Sequence, residues 1–238
     1  AVVSDDYYFV NNSQWNLNET EGINIPLAWD ITTGSREIRV GVLDTGIANH
    51  PDLNANLGEG MDFNHNYITT DDDYGHGSKV AGIIGAVGNN TIGVAGINWH
   101  ITLVPLQVGY YDNDNNFVIP TVSITRAINW ASDLWGTDQQ IDLINMSYSN
   151  FGKNSAVLQS VQEYQGLFVW SAGNKGENVD EFGNIDSYNL DNLISVGAID
   201  KSNARSVWDS TQSSNYGSNV DVFAPGGKGF AANDNIPT

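Results

Sequence analysis

The strongest constraint in this sequence is an alternation. Short, continuous apolar runs rich in β-branched residues are separated by longer stretches whose apolar residues recur at helical spacing. Residues 38–43, 101–108, 141–146, 167–170 and 193–196 are runs of the first kind. Residues 76–87, 122–134 and 155–164 are stretches of the second kind, with Ile124, Ala127, Ile128, Ala131 and Leu134 marking one helical face. A strand with no polar alternation is buried on both faces, which requires a parallel sheet covered by crossover helices. The expected fold is therefore α/β, a parallel doubly wound sheet with helices on both faces. Strands that end in polar turns place a site at the carboxyl edge of such a sheet.

The 238 residues suit one large domain, with no internal repeat, linker or low-complexity tract to divide it. Hydrophobic residues make up 40% and aromatics 11%, enough to fill a core. Acidic residues number 28 against 9 basic ones, a formal charge of −19. That balance excludes nucleic acid and anionic membrane surfaces as expected partners, because both recruit Lys and Arg. It leaves room for bound cations. There is no cysteine, so disulfides, thiolate catalysis and Cys-ligated zinc are excluded. No apolar run is long enough to span a bilayer, and the first residues carry neither a basic nor an apolar leader segment. Residues 225–238, rich in Gly and Asn and without periodicity, read as a loop-like tail.

Three loops at strand or helix ends hold chemistry. Asp44-Thr45-Gly46 follows directly on a buried strand. Gly75-His76-Gly77-Ser78 opens a helix with a histidine between two glycines, which let other backbone approach closely. Ser171-Ala172-Gly173-Asn174 places an asparagine amide just beyond another buried strand. Singly, each has an ordinary reading: a turn or cap aspartate, a structural histidine, a turn asparagine.

In this order, and together with Ala28-Trp29-Asp30-Ile31, His50-Pro51-Asp52-Leu53, Ile144-Asn145-Met146-Ser147 and Ala224-Pro225-Gly226, the motifs strongly resemble those of the subtilisin-like serine proteases, the subtilases. The resemblance runs from about Gln14 to Gly226. It implies peptide-bond hydrolysis through an acyl-enzyme, with Asp44 orienting His76, His76 as general base and Asn174 donating to the oxyanion. A carboxylate that fixes the imidazole tautomer and a preorganised amide at the oxyanion are physically coherent in those roles. By the same resemblance Ser147, Tyr148, Ser149 and Ser171, Ala172, Gly173 form substrate walls that pair with an extended peptide. Secretion is likewise implied by the resemblance. Ser78 and Lys79 depart from the usual threonine and histidine, and Ser149 and Asn150 replace glycines of the substrate wall, where side chains would narrow the cleft.

One departure is large. The family's nucleophile lies in a Gly-Thr-Ser-Met-Ala motif at the start of a buried helix after the Ala-Pro-Gly loop, and no Gly-Thr-Ser occurs in this sequence. No serine has a glycine two positions before it either. The expectation is a catalytic domain truncated before the nucleophile segment, incomplete at its C-terminus and inactive alone, with apolar surface exposed where the helix belongs. Three explanations stay open. The enzyme is nicked, with the remainder docked as a second polypeptide. Alternatively, the chain is shortened and a second copy or a rearrangement covers the gap. Or the chain is a non-catalytic pseudoprotease that binds peptides.

The resemblance also implies a structural Ca²⁺ held by Asp52, Asn90, an N-terminal acid (Asp6, or its neighbour Asp5) and the carbonyls of Gly88, Ile92 and Val94. Mixed side-chain and backbone oxygens suit calcium, although Asn89-Asn90 also reads simply as a turn. Asp71-Asp72-Asp73 reads as a solvated loop; neighbouring His65 and Tyr67 stand where further cation ligands would be expected. His50, His65 and His100 have no metal-ligand spacing and read as structural or exposed.

Overall fold

A computed structural model describes residues 2–18, 20–66, 68, 71–112, 114, 116–149, 154–182 and 190–228. In chain order the strands are β1 (Gly34–Asp44), β2 (Met61–Asp62), β3 (His100–Gln107), β4 (Tyr110–Tyr111), β5 (Phe117–Val118), β6 (Leu143–Met146), β7 (Leu167–Ser171), β8 (Leu193–Ile199) and β9 (Val222–Pro225). The helices are α1 (Tyr7–Val10), α2 (Ile25–Trp29), α3 (His76–Gly85), α4 (Thr121–Asp133), α5 (Ser155–Glu163) and α6 (Val179–Phe182). Strands β4 and β5 form a small antiparallel hairpin. The other seven form one sheet in the order β2-β3-β1-β6-β7-β8-β9, every pair parallel.

The expected doubly wound sheet is present, and side-chain parity along β1 explains it. Val40 and Val42 point to one face, where they join Ile101 and Leu103 under Ala81 of α3. Leu43 points to the other face, with Val104, Leu106, Ile144 and Phe168. There Ile124, Ala127 and Ile128 of α4 and Val157 and Val161 of α5 cover them. Strand β1 lies between β3, which follows it on one side, and β6, on the other. Its carboxyl end is thus the point where strand order reverses, the usual position of a site in such sheets.

The two faces are not equally closed. The cluster beneath α3 reaches only as far as Leu143 of β6. Beyond it, on the same face, Val169, Ile194 and Val196 are only half-buried, and Val222 is 49% exposed. These residues are lateral neighbours: Val169 pairs with Ile194, and Val196 with Val222. These apolar side chains keep part of their surface open to water.

The five long apolar runs are all strands within a few residues of their expected bounds, β8 extending on to Ile199. The tail starts later than expected. Pro225 closes strand β9, which has no further neighbour in the sheet among the described residues, so that a missing N–H costs little. Residues 229–238 lie outside the described residues. The N-terminal segment is fastened by Gln14, buried, whose amide donates to the Ala95 carbonyl (2.9 Å) and accepts from its N–H (2.8 Å). Among the described residues no helix is long and apolar enough to cross a membrane.

Candidate functional site

Asp44 is the last residue of β1, and the buried run before it carries its carboxylate to the sheet edge, where it is 5% exposed. Its Oδ1 accepts from the Thr45 N–H at 2.8 Å. His76 is the first residue of α3. The helix start sits close against the loop after β1: a Cβ on Gly77 would lie 2.1 Å from the Gly46 carbonyl oxygen, so only glycine fits. This close approach brings His76 Nδ1 to 2.8 Å from Asp44 Oδ1 and 3.0 Å from Oδ2. A carboxylate at Nδ1 selects the tautomer protonated there and leaves Nε2 as an acceptor. The hydrogen bond to Asp44 pushes the His76 pKa up; burial opposes it, the charges of Asp44 and Asp72 add to it, and Lys79 opposes. Among the described residues nothing hydrogen-bonds Nε2.

Asn174 follows β7 and is exposed, its side-chain amide making no hydrogen bond among the described residues. It lines the same cleft as Asp44 and His76, a space of about 470 Å³. Ser147, Tyr148, Ser149 and Ser171 line that cleft as well. Ala172 and Gly173 do not: both are buried beneath it. Their carbonyls are occupied within the protein, Ala172 by the Asn215 side chain at 2.8 Å and Gly173 by the Asn215 N–H at 2.8 Å.

Two contributors were not legible in the motifs. Buried Asn215 holds the loop that presents Asn174, because its Oδ1 also accepts from the N–H groups of Lys175 (3.0 Å) and Glu177 (2.9 Å). Tyr74 and Phe117 stack at 4.3 Å between centroids and form the apolar wall beside His76. Phe117 of β5 and Tyr74 of the loop before α3 supply that wall. The aromatic residues of the β4–β5 hairpin at 110, 111 and 117, flanking an Asp/Asn turn, were the available signal.

The loop expected to hold calcium is folded around two acids. Asp6 is fully buried and accepts from the N–H groups of Asn89 (2.7 Å) and Asn90 (2.9 Å). Asp52 is 3% exposed and accepts from the Asn90 side chain (2.9 Å) and the Val94 N–H (3.0 Å). Burial pushes the Asp52 pKa up, and the charge of Asp6 pushes in the same direction. Neither acid pairs with a Lys or Arg among the described residues. No group of three or more His, Asp or Glu side chains converges as a metal cage among the described residues. A cation here would therefore depend on the carbonyls of Gly88, Ile92 and Val94 beside Asp6, Asp52 and Asn90. Two buried, unneutralised carboxylates fit such an ion.

The acidic run is only partly a solvated loop. Asp71 and Asp73 are exposed, whereas Asp72 is hydrogen-bonded to the start of α3. His65 pairs with buried Asp62 at 2.8 Å, His50 accepts from the Asp52 N–H at 3.2 Å, and His100 meets Thr33 at 3.2 Å. All three agree with structural or exposed roles. Tyr67 and Asn150 lie outside the described residues.

The subtilase family model matches residues 35–237. The chain is 33% identical to an extracellular protease of Xanthomonas campestris pv. campestris, over 90% of this chain and 41% of that protein. It is 33% identical to thermitase of Thermoactinomyces vulgaris, over 86% of this chain and 68% of that protein. It thus spans less than half of the first relative's length. A solved structure of a protease from Pseudoalteromonas arctica superposes with a TM-score of 0.81 at 29% identity, covering 100% of this chain and 80% of that one. A cold-adapted subtilisin-like serine proteinase superposes at 0.64 with 25% identity, covering 90% and 72%.

Proposed function

Because this chain belongs to the subtilase family of serine proteases, we propose that it forms part of the catalytic domain of a secreted serine endopeptidase whose nucleophile lies outside these residues. The observation that carries the reading is the Asp44–His76 pair, made at 2.8 Å in the cleft that Asn174 also lines. Asp44 holds the imidazole with Nδ1 protonated and stabilises the imidazolium as it forms. His76 Nε2 takes the proton of a serine hydroxyl as that oxygen attacks the peptide carbonyl, then returns it to the leaving amine. The free Asn174 amide donates to the oxyanion. The wall of Ser147, Tyr148 and Ser149 faces an extended peptide, and the stacked Tyr74 and Phe117 favour apolar side chains beside His76.

The serine is the missing partner. No Gly-Thr-Ser occurs in residues 1–238, and Nε2 has no hydroxyl at hydrogen-bond distance among the described residues. The nucleophile is therefore carried by polypeptide outside these residues, and residues 1–238 alone are inactive. The open apolar face at Val169, Ile194 and Val196, beside α3, is where the helix that carries it packs, whether from a second polypeptide or from another copy. Calcium bound by Asp6, Asp52, Asn90 and the carbonyls of Gly88, Ile92 and Val94 neutralises the two buried acids and fastens the N-terminal segment. Secretion follows the two relatives named as extracellular proteases.

The test is covalent labelling of the natively purified protein with a serine-directed inhibitor, followed by a denaturing intact-mass spectrum. The expected result is label on a segment containing Gly-Thr-Ser and none within residues 1–238. A native protein whose only species is an unlabelled chain of residues 1–238 would favour the peptide-binding pseudoprotease instead.

A further inference from the structure

His76 occupies an awkward place for a base that must become a cation. It opens α3, and a helix N-terminus carries partial positive charge that disfavours an imidazolium. The residue that would cap this helix is Gly75, which is left-handed at φ +83° and has no side chain to cap with. Asp72 fills both needs. Its Oδ1 accepts from the Gly75 N–H at 2.8 Å and from the Thr45 hydroxyl at 2.7 Å. Its Oδ2 accepts from the Ser78 N–H at 2.8 Å and the Ser78 hydroxyl at 2.6 Å.

Both hydroxyls lead back to the end of β1. The Thr45 oxygen accepts from the Gly77 N–H at 2.8 Å, and the Ser78 oxygen accepts from the Ala48 N–H at 2.9 Å. One carboxylate thus ties the residue after Asp44 to the residues on either side of His76. Charge-assisted bonds of this kind are about twice as strong as neutral ones.

We propose that Asp72 is a positioning residue for the Asp44–His76 pair: through Thr45 and Ser78 it fixes the start of α3 against the end of β1 and offsets the helix charge at the imidazole. The charged groups that act on His76 are Asp44 and Asp72, which favour the imidazolium, and Lys79, which opposes it. The proposal takes its interest from the protease reading, yet it is tested without turnover, so the two fail separately.

The experiment is an NMR titration of His76 in residues 1–238, with Asp72→Asn, Asp71→Asn and Thr45→Val. Asp71 is exposed, so Asp71→Asn removes the same charge nearby without touching the network. Asp72→Asn should lower the His76 pKa more than Asp71→Asn does, and should speed solvent exchange of the Nδ1 proton. Thr45→Val leaves every charge in place. It should speed that exchange while the protein stays folded, which keeps the proposal testable where Asp72→Asn unfolds the chain. Equal pKa changes in the two Asp→Asn variants would reduce Asp72 to a distant charge. A drop in melting temperature with His76 titration and Nδ1 exchange unchanged would reduce it to a helix cap. Either result overturns the proposal.

Discussion

The two faces of the sheet were built to different degrees of completion. On the face covered by α4 and α5, Ile144, Phe168, Ile124 and Ile128 are all fully buried. On the opposite face α3 covers β3 and β1, and among the described residues the apolar cluster goes no further than Leu143: Val169 and Ile194, next door to Phe168 and Leu193 along the same strands, stay half-buried. Alternate residues of β7 thus report two environments. The closed face holds the larger of the two apolar clusters. The half-open face lies next to the helix that carries His76, which is where the reading needs its missing serine.

The largest effect that sharpens this contrast is a pair of alanine substitutions. Phe168→Ala should cost about 3–5 kcal/mol in urea unfolding, as for other large core truncations. Val169→Ala should cost less, about 1–2 kcal/mol, since its two methyl groups leave a site that is partly open to water. Equal losses would mean that the second face is closed after all. Calcium comes next. At about one hundred times its dissociation constant it should add about 2.7 kcal/mol, or roughly 5–10 °C in melting temperature. Chelator should remove that gain, and Asp52→Asn should abolish it. A melting temperature indifferent to chelator breaks the assignment of Asp6 and Asp52.

The smallest effect is in pH. The pKa of His76 is raised above 6.5 by its bond to Asp44, so the folded state binds this proton more tightly than the unfolded state. The stabilisation it brings is fully present below about pH 6.5 and is lost as pH rises through the raised folded value. As the side chain is 45% exposed, the amount should be at most about 1 kcal/mol. Comparing unfolding of the parent and His76→Ala across pH 5 to 9 checks the sign. A difference that grows with rising pH would contradict it.

How much of this was legible before the structure depended on whether the signal was local. Residues 38–43 and 101–108 announce β1 and β3 because a strand buried on both faces must be apolar throughout. Strand β9 gave no such signal: it is an exposed edge of four residues ending in Pro225. Strand β2 has two residues, too few for any period. Asp44, His76 and Asn174 stood out because each follows or opens a strongly patterned element. Asp72 did not, because its meaning lies in Thr45, 27 residues earlier in the chain, and a run of three aspartates reads locally as solvated. Asn215 was hidden for the same reason, its partners lying 38 to 43 residues away. Ala172 and Gly173, expected in the substrate wall from their motif, lie buried beneath the cleft with Asn215 bonded to their carbonyls, an arrangement that no local pattern announces.

In the proposed reading Asp44, His76 and Asn174 supply the orienting acid, the base and the oxyanion amide, and the nucleophile lies outside residues 1–238. The most direct test is to give purified residues 1–238 a peptide amide substrate, with and without a serine-directed covalent inhibitor. Hydrolysis should be no faster than in buffer. Sustained turnover that the inhibitor abolishes would contradict that reading, and would mean that a serine within these residues does the work.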